Sequence, residues 1–376
     1  MSDKEIYTKF IEWLNQTWWE LPDSEELMPM IAAGYSPEEA ELLTGMPFSG
    51  RYLEELAELK GAEPNDLRAR LDDLAKRGVV FRTVKSDRVR YSLNDSYFVF
   101  LRSMFWPGRD DDRLRTVAPR INRYYRDGFA EPYNEVETKG LRALPIKQTI
   151  RDTRQVLPYE DVASVLESQQ RFAVSTCACR HRKSLDPNES PCKHPTENCL
   201  HFGRLAEYIV EQDLGRKISR QEAHDILVEA ADSGLVHGIS NWQDGVDTIC
   251  NCCQCCCLWF EAFHVLGHTK SIDASNYLIR TNDETCSGCG LCVKRCPMDA
   301  LRLESTARAN NKKGKMAVIS PELCIGCGVC AYKCPTESLE LISREETIDP
   351  PATIRDNVKR FIAERAAFKA GKQEGN

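Results

Sequence analysis

Ile6, Phe10, Trp13, Leu14 and Trp18 recur at helical spacing, so residues 3–20 are expected to form one amphipathic helix. Its apolar stripe is expected to pack on the rest of the protein. Docking on a partner or a membrane surface is the alternative, and the membrane version is weakened by a segment with more acids than bases. From 36 to 94 the pattern changes rhythm. Ser36-Pro37-Glu38-Glu39 places a cap residue before a proline, which opens a short helix. Helices are expected over about 51–60, ending at Gly61, and over 64–77, ending at Gly78. Two β-rich runs, Val79–Val84 and Arg88–Leu93, flank the turn-like Lys85-Ser86-Asp87. Beyond them the spacing predicts a loop over 106–112, a helix around 112–127, an extended segment near 141–157 and a helix near 158–168. A helix over 257–268 would set His264 and His268 on one face at i and i+4. The last periodic stretch, 351–371, reads as an exposed, basic amphipathic helix that packs or docks.

Three helices followed by a hairpin resemble the winged-helix family over 36–95. Such modules often bind DNA through the third helix. Here that helix offers Arg68, Arg70, Lys76 and Arg77 beside Asp66, Asp72 and Asp73, and the segment's ten basic residues face twelve acidic ones. Phosphate affinity depends on clustered positive charge, so DNA is not the expected partner and protein docking or a structural role is.

The chain has 376 residues, with 50 Lys+Arg against 57 Asp+Glu, a formal net charge of −7. At roughly 100–200 residues per domain, that length points to two or three domains. No apolar run reaches transmembrane length, and the acidic start MSDKE does not read as a signal peptide, so a cytoplasmic protein is expected.

Cysteine usage is the informative feature. All 18 lie between Cys177 and Cys334, ten of them in 177–257 and eight in 286–334. In a reducing compartment, clustered thiols more often bind metal than pair as disulfides.

Cys286-x2-Cys289-x2-Cys292-x3-Cys296-Pro297 is followed by Cys324-x2-Cys327-x2-Cys330-x3-Cys334-Pro335. Two residues between thiolates let a tight turn aim three sulfurs at one cluster. Gly288, Gly290, Gly326 and Gly328 suit backbone passing close to it. Each run resembles the bacterial two-cluster ferredoxin motif, over about 276–345. That resemblance implies two [4Fe-4S] clusters in which the fourth cysteine of each run serves the other cluster. One would take Cys286, Cys289, Cys292 and Cys334; the other would take Cys324, Cys327, Cys330 and Cys296. The linker between the runs carries Arg308, Lys312, Lys313 and Lys315, either a solvated loop or a docking surface for an acidic redox partner.

Upstream lie Cys177, Cys179, Cys192 and Cys199, then Cys250, Cys252, Cys253, Cys255, Cys256 and Cys257. The arrangement resembles cysteine-rich modules fused ahead of ferredoxin domains in iron–sulfur proteins of anaerobic bacteria. Three chemistries fit the residues. One or two further iron–sulfur clusters would extend an electron path. Structural zinc would use four donors among Cys177, Cys179, Cys192, Cys199 and His181, His194 or His201. An exchangeable dithiol would use the 250–257 run. The paired cysteines resemble the CC motifs of heterodisulfide-reductase-type subunits, but those carry glycine after the pair where this chain has Gln254 or runs on to Cys257. Arg180 and Arg182 place positive charge beside Cys179, which favours an electron-rich cluster or an anionic ligand.

No dinucleotide or phosphate loop, zinc-hydrolase helix or serine elbow occurs. The expected architecture is therefore a multi-domain α+β chain: an N-terminal helical region (1–35), a winged-helix-like module (36–95), a connector (96–170), a cysteine-rich domain (171–275), a dicluster domain (276–345), and a C-terminal helix and tail (346–376). The expected function is low-potential electron transfer to or from a partner protein or flavoenzyme. A redox-responsive DNA-binding regulator, or an oxidoreductase with its own cluster in the cysteine-rich domain, are the alternatives.

Overall fold

The computed structural model describes residues 1–153 and 156–374, and it divides into two units built from interleaved stretches of chain. The first contains 1–133, 173–197 and 204–217; the second contains 134–172, 198–203 and 218 onward.

In the first unit, α1 (Asp3–Leu14) opens with a capping box between Ser2 and Glu5 and ends well before the expected residue 20. Asn15 and Thr17 stop it. Thr17 bonds back to the Leu14 carbonyl at 3.0 Å, and the Asn15 side chain accepts from the Leu21 amide at 2.6 Å. Short polar side chains of this kind give the backbone an alternative to the next helical turn. Trp18 therefore leaves the stripe, while Phe10 and Leu14 stay buried and Trp13 donates to the Met46 carbonyl at 2.9 Å. The helix packs inward rather than standing free.

After α2 (Leu27–Gly34), α3 (Pro37–Leu43) starts on a reciprocal cap: the Glu39 amide bonds to the Ser36 hydroxyl, and the Ser36 amide to the Glu39 carboxylate. β1 (Arg51–Tyr52), α4 (Leu53–Lys60), α5 (Pro64–Lys76), β2 (Val80–Lys85) and β3 (Arg88–Leu93) follow. The three strands form a sheet in the order β1-β3-β2, with Ser86 and Asp87 at positive φ in the hairpin turn. The unit continues with α6 (Ser96–Leu101), α7 (Asp112–Tyr124), a π turn over 125–129 and α8 (Ala130–Asn134). It takes up the chain again in β5 (Phe172–Thr176), α10 (Ala178–Ser184), α11 (Gly203–Glu211) and β7 (Arg216–Lys217), the last pairing with β5. Tyr208 of α11 donates to the Val80 carbonyl at 3.1 Å, joining the late segment to the early hairpin.

In the second unit, β4 (Leu141–Ala143), β8 (Val236–Ser240), β9 (Thr248–Cys252) and β6 (Glu197–Phe202) lie side by side in that order, each pair antiparallel. The extended segment expected over 141–157 is only three residues long. Beyond it, 147–149 forms a 3-10 turn in which Thr149 bonds to the Ile146 carbonyl through both amide and hydroxyl; Arg154 and Gln155 lie outside the described residues. α9 (Val162–Glu167) and α12 (Arg220–Asp232) complete this layer.

Next comes α13 (Leu258–His264), then the succession of β10 (Tyr277–Thr281), α14 (Leu291–Arg295), β11 (Leu301–Ser305), β12 (Lys315–Ile319), α15 (Val329–Tyr332) and β13 (Leu339–Ser343). β10 pairs with β13, and β11 with β12, over five residue pairs each. α16 (Ile354–Glu374) covers the expected C-terminal helix, and the chain's last two residues lie outside the described ones. Most of α16 is exposed, as expected, and it packs through a few anchors such as the buried Phe361. Its Glu364 accepts from the Thr138 amide and hydroxyl at 2.7 Å each, and its Asn357 donates to the Lys139 and Asn241 carbonyls. No helix among the described residues is long and apolar enough to cross a membrane.

Candidate metal centres

The eight C-terminal thiols fall into two groups, each mixing both sequence runs. Cys292 has Cys286, Cys289 and Cys334 for its neighbours. These four line a common pocket whose other walls include Leu303, Ala317 and Leu339. Burial and the three neighbouring thiols push the Cys292 thiol up to about 11. Burial acts the same way on Cys334, but hydrogen bonds from the Thr336 and Ser338 backbone and side chains outweigh it and hold this thiol below its ordinary value.

In the second group, Cys327 and Cys330 lie beside Cys324 and Cys296. Burial, then the neighbouring sulfurs, drives both thiols upward. Ala300 donates its amide to the Cys296 sulfur at 3.3 Å, and the Met298 backbone bonds to it as well. Burial first, and the neighbouring sulfurs second, disfavour the thiolate form at these positions. The donor sets and the backbone groups hydrogen-bonded to sulfur fit an iron–sulfur cluster at each group.

The backbone itself requires two of the glycines between these thiols. Gly288 and Gly326 have φ of +63° and +67°, and a Cβ would lie 2.5 Å from the Lys315 carbonyl at the first and 2.3 Å from the Tyr277 carbonyl at the second. Both loops press on neighbouring backbone.

The upstream thiols are distributed over both units. In the first, Cys177 caps the N-terminus of α10, bonds through its amide to the Thr196 carbonyl at 2.7 Å and lies against the Cys179 thiol. Cys192 is half-buried in the loop that follows. Arg180 and Arg182 are 1% and 0% exposed, and Asn122 holds Arg182 through its Nε at 2.8 Å, with Asp186 bracing Asn122 in turn. His181 has its Nδ1 engaged with the Phe105 carbonyl at 3.0 Å.

In the second unit, the sulfurs of Cys253, Cys255 and Cys256 lie within 4.8 Å of one another, the last two 3.7 Å apart. Cys252 is hydrogen-bonded to Cys250 and Cys257, and Cys199 is buried on β6. His201 is buried beside Thr248. The helix meant to carry His264 and His268 on one face stops at His264, where the chain turns through Gly267 at φ +78°. His264 instead places its Nε2 2.8 Å from the Pro297 carbonyl.

Several supporting residues carried no sequence signal. Arg344 donates to the carbonyls of Ser275 and Cys324, and Arg295 to those of Ala231 and Val329, each tying a thiol-bearing loop to backbone far away in the chain. Asn251 bridges the Asn198 carbonyl and the His237 ring, at 2.7 Å each. Such partners become visible only once strands are in register.

No curated protein and no solved structure matches the chain. Residues 285–338, which contain all eight C-terminal cysteines, match the family model of the 4Fe-4S dicluster domain. The chain thus carries a 4Fe-4S dicluster domain near its C-terminus, set within a larger protein of mixed helix and sheet.

Proposed function

We propose that this chain is an iron–sulfur electron-transfer protein that relays low-potential electrons to or from a partner oxidoreductase. The observation that carries the reading is the division of eight thiols into two mixed groups. Cys286, Cys289, Cys292 and Cys334 would hold one cluster, and Cys324, Cys327, Cys330 and Cys296 the other. When bound, each [4Fe-4S] cluster supplies a one-electron carrier. The protein's own part is to present thiolates, to offset their charge with the amides of Met298, Ala300, Thr336 and Ser338, and to exclude water through burial. The middle thiols would hold one or two further clusters, with structural zinc as the rival occupant.

The partner would approach near Cys289, which is exposed while Cys286 and Cys292 are buried. Beside it, the basic loop between β11 and β12 folds back: Asn311 donates to the Cys286 carbonyl at 2.8 Å, and the Lys313 ammonium lies 3.4 Å from the Gly288 carbonyl. Lys312 and Lys315 flank it, so an acidic redox protein or flavoenzyme is the complementary surface.

We read residues 36–95 as a winged-helix-like module from their element order and three-stranded sheet. A docking role suits it better than DNA binding, because its arginines are spent internally: Arg77 on Glu39, Arg82 on Asp72 and Arg88 on Glu54. A second reading, reduction of a small substrate at the middle thiols, draws on Cys255, which is exposed beside the buried Cys253 and Cys256.

The test is the iron, sulfide and zinc content of the full chain purified without oxygen, followed by EPR during reductive titration. About eight irons or more, with the interacting signals of two adjacent reduced clusters, is the expected result. Iron well below eight, or clusters that no low-potential reductant can reduce, would sink the proposal.

A further inference from the structure

The second unit brings together four thiols that the sequence keeps apart. β6 and β9 pair Leu200 with Ile249 and His201 with Thr248. Continuing that antiparallel register by one residue sets Cys199 opposite Cys250, and residues opposite each other project to the same face. Cys252 lies two residues beyond Cys250 on the same strand, hence on that face too. The register is locked by the residue between them: Asn251 points the other way, where His237 Nδ1 and the Asn198 carbonyl hold it at 2.7 Å each. At the end of β9 the chain turns and returns, so that Cys257, at the N-cap of α13, comes back to bond with the Cys252 thiol, as Cys250 does. Cys253, Cys255 and Cys256 form a different group, within 4.8 Å of one another.

We infer that Cys199, Cys250, Cys252 and Cys257 are the ligand set of one iron–sulfur cluster, separate from the centre that Cys253, Cys255 and Cys256 help to hold. Four thiolates and no other donor are the ligand chemistry of a [4Fe-4S] cluster. The near-continuous cysteine run is therefore split between two sites: its outer members, Cys250, Cys252 and Cys257, face one centre, and its inner members face another. The inference rests on the reading that the middle thiols bind metal.

The experiment uses the full chain, made without oxygen, as wild type and as Cys199→Ser, Cys250→Ser, Cys252→Ser and Cys253→Ser variants, with iron, sulfide and zinc counted and EPR recorded. Cys199→Ser and Cys252→Ser are expected to lose the same set of about four irons with equivalent sulfide, leaving the dicluster signals intact. Cys253→Ser is expected to keep that set. Cys250→Ser, at a half-buried position, repeats the test where a fully buried change might unfold the protein.

Loss of the same iron in Cys252→Ser and Cys253→Ser would overturn the division into two centres, and full iron in Cys199→Ser would overturn its place in the set. One zinc without sulfide at this set would overturn the cluster. If the wild type holds only about eight irons and no zinc, the underlying reading fails as well, which separates the two failures.

Discussion

His264 Nε2 lies 2.8 Å from the carbonyl oxygen of Pro297, the residue that follows Cys296. A carbonyl only accepts, so this ring nitrogen carries the proton and donates. The same nitrogen is 3.1 Å from the side-chain amide of Gln254, between Cys253 and Cys255. One imidazole thus braces the backbone behind a dicluster thiol from within reach of the middle cysteine run. His264→Ala is expected to cost about 1 kcal/mol, the worth of one such bond. A chelator challenge should then strip iron faster from the group containing Cys296, while the group containing Cys292 keeps its wild-type rate. Equal rates in both groups would show that the bond supports neither in particular.

Gly326 and Gly314 give a matched contrast. Both have positive φ, +67° and +59°, but a Cβ at 326 would strike the Tyr277 carbonyl whereas nothing lies within 4 Å of one at 314. Gly314→Ala should therefore show only the conformational penalty, about 1–2 kcal/mol, and retain its iron. Gly326→Ala should displace the Cys324–Cys330 loop and lose roughly half of the dicluster iron. Iron analysis and thermal unfolding of the two variants decide the matter.

Burial raises the Asp273 carboxyl from its ordinary 3.8 to about 6, against the opposing Asn241 hydrogen bond and the charge of Lys139. The folded protein then binds this proton more tightly than the unfolded chain does. The stability it contributes is complete below about pH 4 and disappears as pH rises through 6. Across that window wild type should lose up to about 3 kcal/mol relative to Asp273→Asn. Denaturant unfolding at a series of pH values would detect it; parallel curves for the two proteins would refute it.

Lys312 and Lys313 lie on the loop beside exposed Cys289. Oxidation of the reduced protein by ferricyanide, an anion, should slow about tenfold at low salt in the Lys312→Glu/Lys313→Glu variant. The difference should shrink as ionic strength rises and screening sets in. Stopped-flow rates at two salt concentrations would check both statements, and a salt-independent difference would point to altered structure instead of charge.

Local chemistry was legible in the chain wherever neighbours in sequence are also neighbours in space. Ser36 and Pro37 announce the start of α3, Ser86 and Asp87 their hairpin turn, and the cysteine runs their spacing. Expectations failed where a competing bond lay close by but left no trace in periodicity: Asn15 and Thr17 ending α1, Thr149 curling the segment after β4, Gly267 turning the chain past His264. The middle thiols were harder for a different reason. Strand register carries Cys199 toward Cys250, and register depends on contacts such as Asn251 with His237 that no short window contains.

With the ligand sets proposed above, the mixed composition of the two dicluster thiol groups would also impose an order of events on biosynthesis. Cys286, Cys289 and Cys292 emerge from the ribosome together, yet their group stays one thiol short until residue 334 follows. The group containing Cys296 is complete slightly earlier, at residue 330. A nascent chain that stalls anywhere in the linker before Cys324 therefore exposes four reactive thiols with no complete set among them. On the proposed assignment, metal loading of this region would be a late checkpoint, one that only a chain translated through both runs can pass.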